Sequence, residues 1–141
     1  MLTHEKNALL TQCGPSTPMG RLMRSFWIPA MTASEVPAAD DPPVRLTLLG
    51  ERLVVFRDTQ GRVGVLEEHC PHRGASLFFG RNEEGGIRCV YHGWKFDVAG
   101  HCLQLPTEPP SSTMCQKVKA KAYPARMAGA LLWVYMGEAQ S

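Results

Sequence analysis

Cys70-Pro71-His72-Arg73-Gly74 and, further on, Cys89-Val90-Tyr91-His92-Gly93-Trp94-Lys95-Phe96-Asp97 are the two stretches that decide how this chain reads. Each opens with a short pair, CxH in the first and CxxH in the second, and each pair offers one sulfur and one imidazole. Common zinc modules group like ligands, as CxxC followed by two histidines. Here both pairs are mixed. Two loops that each deliver a thiolate and an imidazole can clamp a two-metal centre from both sides, with sulfur on one metal and nitrogen on the other. Tetrahedral sulfur and nitrogen ligation occurs in zinc sites as well, so ligand type alone leaves both readings open.

The flanking residues separate them. Gly74 and Gly93 follow the two pairs and suit loops that must turn tightly and bring backbone N–H groups close to bound sulfur. On these flanks the chain resembles a Rieske protein, and more narrowly the N-terminal domain of the Rieske non-heme iron ring-hydroxylating or demethylating oxygenases. The resemblance implies a Rieske-type [2Fe-2S] cluster held by Cys70, His72, Cys89 and His92. It places Arg73, Gly74, Tyr91, Gly93 and Trp94 around that cluster, with Tyr91 and Trp94 packed over the ligand loops to exclude water. High-potential Rieske proteins add a cysteine to each loop, joined as a disulfide, and a serine hydroxyl near the cluster. This chain has Arg73-Gly74 and Gly93-Trp94 instead, so its potential is expected at the low end of the roughly −150 to +300 mV Rieske window.

Further likeness covers nearly the whole chain. Thr17-Pro18-Met19-Gly20 with Arg21-Leu22-Met23-Arg24-Ser25-Phe26-Trp27, and Pro106-Thr107-Glu108-Pro109-Pro110 with Lys121-Ala122-Tyr123-Pro124, resemble the phthalate dioxygenase-like branch. That branch implies one-electron transfer from a flavin or iron-sulfur reductase to a mononuclear iron in an oxygenase catalytic domain or subunit, within a homo-oligomer acting on aromatic acids. The second iron needs two histidines and a carboxylate. No histidine follows His101, so these residues carry no catalytic mononuclear iron domain and are expected to serve as the Rieske part of such a system. The alternatives are a free-standing Rieske ferredoxin and a zinc-bound interaction module.

At 141 residues the chain fits one domain with an ordinary core. A net charge of +2 argues against a general nucleic-acid binder. No apolar run approaches the roughly 18 residues of a membrane span, and the charged start Met1-Leu2-Thr3-His4-Glu5-Lys6 is unlike a signal peptide, so a cytoplasmic location without membrane contact is expected. Of the 5 cysteines, Cys13, Cys102 and Cys115 are then expected as free thiols.

The local signals give a mainly β fold, an antiparallel β sandwich with a short N-terminal helical extension. Residues 1–26 form the extension, 27–137 the Rieske domain and 138–141 a tail. Thr3 caps a helix over 4–12 whose Ala8, Leu9 and Leu10 make apolar contacts, and Thr17-Pro18 starts another that carries Met19, Leu22 and Met23 toward Phe26 and Trp27. Short strands follow at 27–32, 44–49, 52–57 and 62–67, with a hairpin at Gly50-Glu51 and a longer turn at Asp58-Thr59-Gln60-Gly61. Residues 81–86 read as a charged turn and 87–90 as a strand leading into the second pair. A hairpin turns at 97–100, and 106–114 is a loop. Residues 117–122 alternate as a strand whose lysines discourage edge pairing more than they recruit a partner, and 131–136 closes the domain. His69, outside the CxH register, and His4 and His101 are read as surface, as are Glu67-Glu68 and Glu83-Glu84.

Overall fold

In the computed structural model, which describes residues 1–138, the organising segment is Leu53-Val54-Val55-Phe56, four apolar residues in succession, all fully buried. A strand sends successive side chains to opposite faces, so a run without a polar position has to be covered on both sides. Leu53 and Val55 enter one core with Val65, Leu132 and Val134; Val54 and Phe56 enter another with Leu66, Leu77, Ile87 and Phe96. The segment belongs to β3 (Glu51–Arg57), which lies between β2 (Val44–Leu48) and β4 (Val63–Glu67) in a sheet completed by β9 (Ala122–Tyr123).

That sheet is the middle of three layers. One side is covered by β1 (Trp27–Thr32), β11 (Leu131–Tyr135) and β10 (Ala125–Ala128) in the order β1-β11-β10. The other carries a meander of β5 (Arg81–Glu83), β6 (Gly86–Arg88), β7 (Lys95–Phe96) and β8 (Cys102–Gln104). Every described strand pair is antiparallel, as expected.

The local differences from the sequence reading have simple causes. The first hairpin turns on Leu49-Gly50 rather than Gly50-Glu51, because Leu48 pairs with Glu51 and both turn residues take positive φ, 48° and 80°; that backbone is the hairpin turn whose twist matches its strands. Residues 81–83 form a strand, since Arg81 pairs with Arg88 across the tight turn at Glu84-Gly85. β6 stops at Arg88, which frees Cys89 and Val90 for the ligand loop. Over 117–122 the lysines are outward as expected, but Lys119 makes only an isolated bridge with His101 and regular pairing is confined to β9.

The extension comprises α1 (His4–Thr11) and α2 (Pro18–Arg24), capped by Thr3 and Thr17. Its apolar side chains stay out: Leu9, Leu10, Leu22 and Phe26 are 50–60% exposed. The contact is made by Gly20 and Arg24 instead. A side chain at Gly20 would collide with the backbone of Cys13 and Gly14. The buried Arg24 guanidinium donates to the carbonyls of Cys13, Gly20 and Leu49 and to Glu51, pinning both helices to the first hairpin. No helix among the described residues is long and apolar enough to cross a membrane. Of the expected tail only Glu138 is described; 139–141 lie outside the described residues.

Candidate metal centre

The two ligand loops share one backbone plan. In the first, the Cys70 N–H donates to the Ala75 carbonyl at 2.9 Å and the Gly74 N–H donates back to the Cys70 carbonyl at 2.9 Å. In the second, the Cys89 N–H donates to Trp94 at 2.8 Å and the Gly93 N–H to Cys89 at 3.0 Å. Each glycine stands four residues after its cysteine with positive φ, 72° at Gly74 and 76° at Gly93, a conformation that only glycine adopts without strain. CxH and CxxH are therefore the same turn with the imidazole set one position later in the second.

Both cysteines point into the core on the meander side and are 3% exposed. The imidazoles of His72 and His92 face each other edge to face with ring centres 4.6 Å apart. Trp94 is buried and stacks on His72 at 4.2 Å with the rings 8° from parallel. Tyr91 departs from the expected packing over the ligand loops: its ring lies 3.9 Å from His92, but it is 62% exposed and covers His92 only from the solvent side. Arg73 is exposed and joins no ion pair among the described residues. His69 and His101 are at the surface as expected.

A third segment closes over this pair. Trp94 Nε1 donates to Thr107 Oγ1 at 3.0 Å, and a side chain at Gly93 would come within 3.2 Å of the Pro106 ring. Gly93 thus answers two demands, its backbone conformation and the close approach of Pro106.

Glu68 corrects the surface reading of Glu67-Glu68. It is 1% exposed, receives the Ser76 hydroxyl at 2.5 Å, and is bridged by Arg45 and Arg52. Burial pushes its carboxyl pKa up, but the bonds from Ser76 and Arg45 and the two arginine charges outweigh that and hold it below the usual range. Leu66, Glu68 and Cys70 stand at alternate positions, and Leu66 and Cys70 both face the same core, so period two already signalled an inward Glu68. Arg88, before the second loop, plays a matching part: its guanidinium donates to the Gly93 carbonyl at 3.0 Å and is held by Glu83 and Gln104. Glu84, exposed, hydrogen-bonds the buried Lys95 ammonium.

The donor set suits a two-iron cluster better than one ion. Among the described residues no three His, Cys, Asp or Glu side chains gather as a single-ion site needs. The donors come in twos, a facing imidazole pair and two neighbouring thiols. Burial is the main cause that lifts the Cys70 thiol to about 11, backbone N–H groups of His72 and Arg73 oppose it, and the adjacent Cys89 reinforces it. Thiols so placed become thiolates when a cation neutralises them. For His72, burial, then His92 and Arg73, lower the imidazole pKa; this favours the neutral form that binds metal.

Fold and donors together define a domain suited to a two-iron, two-sulfide cluster. The chain belongs to the Rieske [2Fe-2S] domain family, whose model matches residues 26–124. It is 54% identical to the phthalate 4,5-dioxygenase oxygenase subunit of Pseudomonas putida, over 97% of this chain and 31% of that one. To the 3-chlorobenzoate-3,4-dioxygenase oxygenase subunit of Comamonas testosteroni it is 50% identical, over 97% and 32%. A crystal structure of dicamba monooxygenase bound to dicamba superposes with a TM-score of 0.71 at 30% identity, covering 82% of this chain and 35% of the other. The chain therefore spans about a third of the length of the relatives it matches. Its cofactor is a Rieske-type [2Fe-2S] cluster and its activity one-electron transfer.

Proposed function

We propose that Cys70 and Cys89 hold one iron and His72 and His92 the other, and that the chain is the Rieske part of an oxygenase system acting on aromatic acids. The observation that carries this reading is the pair of backbone-equivalent loops, which set two buried thiols side by side and two imidazoles edge to face. When bound, the cluster supplies acceptance and release of one electron at a time. The residues do the rest. Trp94 stacks on the His72 ring and Pro106 packs against Gly93, while both imidazoles remain partly exposed, which gives a partner close access. In this reading the donor is a flavin or iron-sulfur reductase, the acceptor is the catalytic domain or subunit of the oxygenase, and the assembly is a homo-oligomer. The matched relatives named as oxygenase subunits of dioxygenases support it, and against them a free ferredoxin or a zinc module has no supporting observation.

We draw the domain as residues 27–137, with 1–26 as an extension docked by Arg24 and Glu51. The low-potential expectation stands with the same proposal. Ser76, the one hydroxyl side chain in residues 70–76, is committed to Glu68, and neither loop carries a second cysteine. Anaerobic purification should yield coloured protein with equal iron and acid-labile sulfide, a reduced-state paramagnetic signal of the imidazole-ligated type, and a midpoint near −150 mV as an order of magnitude. Colourless protein with one zinc ends the cluster assignment, and a midpoint above about +150 mV ends the low-potential reading.

A further inference from the structure

Two cysteines outside the ligand loops meet in space. Cys102 on β8 and Cys115 in the short 3-10 turn Met114–Gln116 are separated by the whole 103–114 loop, yet their sulfurs lie 2.8 Å apart. The Cys115 thiol also lies 3.3 Å from the Cys102 carbonyl. Both are free and half-buried. The loop they bracket carries Pro106, which packs on Gly93, and Thr107, which receives the Trp94 indole. At its first foot β8 pairs with β7, and the segment after its second foot is tied back by the His101–Lys119 bridge and the Ala120-to-Gly100 hydrogen bond. We propose that Cys102 and Cys115 form a reversible disulfide that staples this loop over the ligand loops, so that the thiol redox state sets how tightly the site is covered.

The chemistry needs a small disulfide such as oxidised glutathione. One protein thiolate attacks it, a mixed disulfide forms and the first glutathione thiolate leaves. The second protein thiolate attacks the protein sulfur of that intermediate, closing the Cys102–Cys115 bond and expelling the second glutathione. Two protein thiols are oxidised, one glutathione disulfide is reduced to two thiols, and the protons pass to the released glutathione. The sulfurs have less than about 1 Å to close to the roughly 2.05 Å bond length. Burial, reinforced by the neighbouring Cys115, pushes the Cys102 thiol up to about 12, so exchange should speed up as the pH rises.

The test uses cluster-loaded protein equilibrated with excess oxidised or reduced glutathione, alkylated and cut with trypsin. Both cysteines fall in one tryptic segment, residues 96–117. The oxidised sample should give that segment lighter by two hydrogens and unalkylated, and the reduced sample should give it doubly alkylated. Two alkylated cysteines after oxidation, or a persistent glutathione adduct on either, overturns the pairing. This readout does not depend on the cluster assignment, whereas the consequence for the site does. Chelator-driven loss of visible absorption should be severalfold slower in the oxidised protein, should recover its rate on reduction, and should ignore glutathione in Cys115→Ser. Equal rates in both states overturn the staple. The thermal midpoint, which needs no cluster, should rise on oxidation in the native protein and stay fixed in Cys115→Ser; an unchanged native midpoint likewise overturns it.

Discussion

The two ligand loops have the same hydrogen-bonded turn but are held by opposite charges. Behind the first lies a carboxylate, Glu68, fully enclosed and receiving Ser76, Arg45 and Arg52. Behind the second lies a guanidinium, Arg88, reaching the Gly93 carbonyl while Glu83 and Gln104 steady it. Their imidazoles differ too: His72 is stacked under buried Trp94, and His92 is overlain by exposed Tyr91. Backbone geometry thus sets where the two Cys and His pairs stand, and side-chain surroundings set what lies against each imidazole. Both imidazoles are partly exposed, and the difference lies in their aromatic neighbours, one buried and one exposed.

The largest effects should fall equally on the two loops. If their shared backbone makes the cysteines equivalent, Cys70→Ala and Cys89→Ala should each abolish visible absorption and lose several kcal/mol of stability, because ligation and folding are coupled. A variant that keeps a bound cluster breaks the equivalence. The aromatic neighbours should separate the halves. Trp94→Ala empties a buried site and drops the bond to Thr107, costing about 3–5 kcal/mol, whereas Tyr91→Ala should change stability by less than about 0.5 kcal/mol. Denaturant midpoints of the two variants measure this directly, and similar losses would contradict the contrast between a buried Trp94 and an exposed Tyr91.

The supporting charges should differ next. Glu68→Gln keeps the shape but leaves Arg45 and Arg52 facing a neutral group in a site 1% exposed, and should cost about 3 kcal/mol. Arg88→Lys keeps the charge and loses the fork that bonds Gly93, Glu83 and Gln104 together, at about 1 kcal/mol. Chemical denaturation ranks them; a larger loss at Arg88 would mean that the second loop, not the first, is the more dependent on its support.

Much of this was legible in the residues. The two Cys–His loops, the strands up to Glu67 and the glycine turns are local chemistry, and local chemistry is what a sequence states. The first hairpin slipped by one residue because Leu49, a poor candidate for positive φ, shares the turn with Gly50. The extension was misjudged for a different reason: its leucines look like a packing face, but a single arginine with four acceptors docks it, and those acceptors lie up to 27 residues away. Glu68 hid behind its neighbour Glu67, since a pair of acids reads as surface unless the alternation with Leu66 and Cys70 is followed through. Thr107 as the partner of Trp94, and the meeting of Cys102 with Cys115, depend on how the 103–114 loop folds back, which no local pattern contains.

A smaller effect, remote from both loops, tests whether the extension's anchor is independent of the site. Burial raises the Glu51 carboxyl, but hydrogen bonds from Tyr123, Lys121 and Arg24 and the Lys121 charge overcome it and bring the group down to about 2. The folded value lies below the unfolded value of about 4.3, so the contribution is complete above that pH and disappears as pH falls toward 2. Allowing for screening at half-exposed Lys121, it should amount to about 1–2 kcal/mol at neutral pH. Glu51→Gln should therefore be less stable than the native protein at pH 7, and the gap in unfolding midpoint should narrow steadily on acidification. Taking the difference between the two proteins cancels any acid sensitivity of the cluster they share. A gap that is constant with pH would mean that Glu51 acts by shape rather than charge. A gap accompanied by altered visible absorption would mean that anchor and site are coupled through β3, the strand whose alternate residues line both cores.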